Sequence, residues 1–99
     1  MSYSLSPQAE QELADAFSHY LEHGSKKVAE KFLAEFERAA NLVDQNPGLG
    51  TITRNGRRIF PIRRYSYSIV YRSTHEGAKI GAVVHESRGP KYRQQTYSV

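Results

Sequence analysis

Towards the end of the chain, His85 is followed by Glu86 and, three residues on, by Arg88. Histidine changes charge near neutral pH, so an imidazole there can pass a proton, and a guanidinium close by can hold a phosphate oxygen. Arg72 lies upstream in a β-like run and Tyr92 in the tail. Together His85, Arg88, Tyr92 and Arg72 are the candidate set for metal-free phosphodiester chemistry. The alternative is a hydrogen-bonded histidine at a strand end with no chemistry. His19 and His23 have the i,i+4 spacing that can chelate zinc, but the chain has no cysteine and offers no obvious third ligand. No metal or cofactor is expected. There is neither a glycine loop for phosphate nor a serine nucleophile motif.

The basic residues are unevenly placed. Residues 1–50 hold four Lys/Arg against eight acids, whereas residues 51–99 hold ten against two, eight of the ten being arginine. Arginine is the better residue for forked contacts to phosphate or carboxylate. Arg57, Arg58, Arg63, Arg64, Lys91 and Arg93 are therefore candidate binding residues for a polyanion, either nucleic acid or an acidic protein segment. The competing reading is a solvated basic face that keeps a strand edge soluble.

These side chains need a scaffold, and 99 residues with 38% hydrophobic content fit one domain over residues 1–99. No apolar run reaches the ~18 residues of a membrane span, and the first residues lack the pattern of a secretory signal. Tyr3 and Leu5 alternate with serines as in a short strand. Ser6-Pro7 and Ser25 read as helix starts. Ala9, Leu13, Ala16, Phe17, Tyr20 and Leu21 recur at helical spacing, as do Val28, Phe32, Phe36, Ala39, Ala40 and Val43. Asn46-Pro47-Gly48 stops the second helix. Residues 59–62, 65–73 and 79–86 are rich in β-branched and aromatic types, and Pro61 belongs at an edge or bulge. Tyr67, Ile69 and Tyr71 should face the helices, which favours packing over base stacking for these tyrosines. The expected architecture is α+β, β-α-α-β-β-β, with a small, mostly antiparallel sheet packed against a two-helix hairpin.

That order of elements resembles the RelE/ParE superfamily of bacterial type II toxin–antitoxin toxins. The likeness is carried by Leu5-Ser6-Pro7-Gln8-Ala9-Glu10, by Asn46-Pro47-Gly48-Leu49-Gly50, by residues 63–72, and by Ala82-Val83-Val84-His85-Glu86-Ser87-Arg88 with Gly89-Pro90-Lys91-Tyr92. The resemblance implies a cytoplasmic toxin silenced by a cognate antitoxin in a hetero-oligomer, with no membrane role. It implies one of two targets: DNA gyrase, as for ParE-like members, or mRNA on the ribosome, as for RelE-like ones. Tyr92 matches the tail tyrosine of the nucleases. Their central-strand arginine is replaced here by Ser68, and their last-strand arginine by Glu86. This departure favours a gyrase-directed action, with a nuclease using Arg72, His85, Arg88 and Tyr92, or a nontoxic nucleic-acid-binding module, as alternatives. The antitoxin is expected to be acidic or amphipathic, wrapping the hairpin and covering a basic sheet face.

Overall fold

Ser6 and Ser25 each hold an extended backbone and accept a hydrogen bond from the amide three residues on, Ala9 and Val28 respectively. They start α1 (Pro7–His23) and α2 (Lys26–Gln45) as the sequence predicts. In the computed structural model of the chain, residues 2–53 and 55–86 are described. Five strands accompany the helices: β1 (Ser4–Leu5), β2 (Thr51–Ile52), β3 (Arg58–Pro61), β4 (Tyr67–Thr74) and β5 (Gly77–His85).

The sheet order is β1-β5-β4-β3-β2; β1 runs parallel to β5 and every other pair is antiparallel. One strand went unread in the sequence. Thr51 and Ile52 are too few for a periodic signal, yet they pair with Ile59 and Arg58. Consequently β3 is not the edge. Pro61 is accommodated because it lies beyond the end of β2, where its missing N–H leaves no ladder bond unmade.

Both helices lie on one face of the sheet. Ala9, Ala16, Phe32, Phe36, Val43, Ile62, Ile69, Tyr71, Ile80 and Val83 are buried together there. Tyr67 packs on this core with Tyr20, Phe32 and Tyr65, ring centroids 5.0 to 6.0 Å apart, so the central tyrosines are packing residues as expected. The opposite face holds a smaller cluster of Ile59, Val70, Ala82 and Val84.

A bulge sets the phase of β5. Val70 pairs with Ala82 but Tyr71 with Ile80, so Gly81 is the extra residue and Ile80 and Val83 both turn inward. The start of α1 is tied to this bulge. The Ser6 hydroxyl donates to the Gly81 carbonyl at 3.0 Å, the Ser6 amide donates to Ile80, and Glu12 accepts the Val83 amide at 2.8 Å. Beyond the two residues of β1, Ser6 and the Glu12 carboxylate thus take over the Ile80 and Gly81 carbonyls and the Val83 amide of β5.

Candidate functional site

The two turns of α1 that meet the sheet do so through alanines, Ala9 and Ala16, the only fully buried residues of that helix. Of its larger apolar residues, Tyr20 packs on the core and Leu13 reaches its edge, while others open onto the surface. Leu13, Ala14 and Phe17 line an open groove of about 470 Å³ with Leu5 of β1 and Leu33 of α2, and Leu21 continues the same stripe at 45% exposure. The rim is acidic. Glu10 lines the groove, and Glu30 and Glu37 flank Leu33 at one helical turn on either side. Glu37 also lies near Tyr3, whose hydroxyl is held above its ordinary pKa by burial first and by that carboxylate second.

His85 projects from the helix-facing side at the end of β5. Its ring meets Tyr67 edge-on at 5.0 Å, and it shares a small recess of about 120 Å³ with Glu12, Asp15, Ala16, Tyr67 and Val83. The carboxylates give this recess the wrong sign for steadying a phosphorane. Arg72 is not a neighbour. His85 pairs with Tyr67, five residues from Arg72 along β4, about 16 Å at strand rise, and Arg72 faces the opposite side of the sheet. Ser68 is buried on that outer side between Pro61 and Val84, and Glu86 lies just past the end of β5, its amide bonded to the Ser66 carbonyl. Arg88, Lys91, Tyr92 and Arg93 lie outside the described residues.

The arginines expected to form one binding wall are dispersed. Arg58 turns to the helix side and donates to the Gly50 carbonyl at 2.7 Å, while the Tyr71 hydroxyl accepts the Gly50 amide and donates to the Pro47 carbonyl. Arg58 thus helps to fasten the single 3₁₀ turn at Pro47–Leu49. Arg63 sits 3.5 Å from Glu35 of α2, which also pairs with Arg38. Arg64 has a left-handed backbone, φ 72°, in the β3–β4 turn and faces Lys31 and Glu35. Only Arg57 joins Arg72, and their company is a lysine. Arg72 pairs with Lys79, and the β3–β4 register carried one residue further sets Arg57 across from Arg72.

The model of the family described as ParE toxin of type II toxin-antitoxin system, parDE, matches residues 3–90. The chain belongs to the ParE toxin family. Among solved structures, the fold is similar to a chain of the chromosomal ParDE TA system from P. aeruginosa, with TM-score 0.74 and 19% identity, covering 86% of this chain and 95% of that one. No curated protein sequence matches. As a type II toxin, this ParE family member has an antitoxin as its partner, and among the described residues no helix is long and apolar enough to cross a membrane. Among the described residues no group of three or more potential metal ligands gathers, and His19 and His23 simply stack on each other at 4.7 Å.

Two features of this toxin went unread in the sequence. The groove is signalled by the two adjacent apolar stripes of α1, Ala9-Ala16-Tyr20 and Leu13-Phe17-Leu21. The Arg57–Arg72–Lys79 alignment carried no local signal, because it depends on the pairing register of three strands.

Proposed function

We propose that this ParE-family toxin arrests growth by acting on DNA gyrase as a protein-directed poison, and that it works in the cytoplasm. The observation that carries the reading is the separation of His85 from Arg72, on opposite faces and about 16 Å apart along the sheet. A ribonuclease needs its proton-transfer group and its cations around one phosphate, and each missing donor costs about 3 kcal/mol of transition-state stabilisation. Here Ser68 and Glu86 occupy the positions where the nucleases place arginines, and His85 is bordered by carboxylates.

The antitoxin's place is the groove between α1, α2 and β1. Leu13, Phe17 and Leu21 span a little over two helical turns, the length over which a docked amphipathic helix sets apolar anchors at i, i+4 and i+8. The acidic rim selects a segment with Lys/Arg flanks. Of the expected alternatives, this keeps an amphipathic partner wrapping the hairpin in place of an acidic one over the basic sheet face, because the apolar floor and the acidic residues occur together.

Induced expression tests the reading. Growth arrest with a DNA-damage response, intact transcripts and inhibition of purified gyrase is the expected result. Arrest with cleaved mRNA and unaffected gyrase would replace it with the nuclease alternative, and absence of arrest would leave a nontoxic module. Leu21→Glu should keep the toxin active while abolishing rescue by the protein encoded in the neighbouring reading frame.

A further inference from the structure

On the sheet face turned away from the helices, one line of side chains crosses β1, β5 and β4 and continues onto the residues just outside β3 and β2. Ser4 pairs with Lys79, Lys79 with Arg72, and the continued registers add Arg57 and then Thr53, whose amide donates to the Arg57 carbonyl. At about 4.8 Å per strand, this is a row of donors roughly 19 Å long with three cations side by side at its centre. Arg72 is exposed, and neither it nor Lys79 forms an ion pair among the described residues. Like charges placed directly opposite each other oppose strand pairing. A short sheet that keeps two such juxtapositions in succession has reason to meet an anion there.

We propose that this row is a contact for the phosphate backbone of duplex DNA, independent of base sequence. A folded protein partner gains most from a desolvated apolar anchor at the centre of its contact. The neighbouring line of Ile59, Val70 and Ala82 is already buried and offers none. Every aromatic residue assigned to the core packs on the helix side, so none of those rings is offered to a base on this face. What remains is cation and hydroxyl donors in a line across the strands, which suits backbone contact. The contact is a property of the folded chain and stands apart from the gyrase reading.

The test is binding of the purified full chain to fluorescein-labelled 20-base-pair duplexes of two unrelated sequences. Two phosphate contacts, from Arg72 and Lys79, predict a log–log salt slope contribution of about −1.8, an affinity loss of about 12-fold between 50 and 200 mM salt. Arg72→Gln should weaken both duplexes equally and make the slope shallower by about one; adding Lys79→Gln should remove about one more. Lys27→Gln, which removes the same charge from the exposed side of α2, should leave the slope unchanged. Circular dichroism on each variant confirms that the fold is kept. Equal losses for Lys27→Gln and Arg72→Gln, no duplex binding at 50 mM salt, or tighter Arg72-dependent binding of a glutamate-rich peptide than of DNA would each overturn the proposal.

Discussion

Replacing Arg72 with threonine should make the free protein more stable. Arg72 stands between Lys79 on β5 and Arg57 beside β3, so its removal relieves two opposed like-charge pairs at once. Cross-strand pairs are worth about 0.2–1 kcal/mol each, so the relief is about 1 kcal/mol when ions are scarce. For a domain of this size that is a rise in Tm of about 4–8 °C. The salt dependence identifies the cause. The Debye length is about 30 Å at 0.01 M and about 3 Å at 1 M, shorter than the separation of opposed side chains. The assay is thermal unfolding followed by circular dichroism for both proteins at 10 mM and 1 M salt. A gain at low salt that shrinks at high salt is expected. A variant that melts lower than the parent, or whose gain is the same at both salts, would refute the electrostatic reasoning.

Other perturbations have equally definite outcomes. Ser6→Ala removes the cap on Ala9 and the bond to the bulge carbonyl of Gly81, and denaturant titration should show a loss of about 2 kcal/mol. Tyr71→Phe strips the Gly50 amide and the Pro47 carbonyl of their shared partner, for about 2–3 kcal/mol by the same measurement. Tyr20 has its hydroxyl held above the ordinary pKa by burial first and then by Tyr67, and Tyr3 is raised by burial and Glu37. A raised tyrosine pKa means that the folded state keeps a proton the unfolded chain releases. Their contribution is therefore present below pH ~10 and lost as pH climbs through the folded values, and Tyr20→Phe should flatten the alkaline limb of a stability–pH curve. Gly77→Ala should be poorly tolerated, since φ there is +118° and a Cβ would meet the Ser2 carbonyl, a cost visible as a lower Tm.

Local chemistry in the sequence accounts for much of the fold. Serine caps, the Gly24 and Asn46 stops and the change from helical to strand periodicity act over a few neighbouring residues, so α1, α2, β4 and the inward face of Tyr67, Ile69 and Tyr71 were legible without coordinates. The resemblance in motif order likewise led to the correct family. What the sequence could not settle depends on residues far apart in the chain. Thr51–Ile52 becomes a strand only because β3 is there to pair with it, and the phase of β5 follows from one extra residue at Gly81. The charge asymmetry between the halves was legible, but its geometry was not. Tertiary pairing sends Arg58 to the Gly50 carbonyl and Arg63 to Glu35, and it sets Arg57, Arg72 and Lys79 in one line. A side chain's type is local, whereas the face it occupies depends on strand register and bulges, which only the assembled sheet determines.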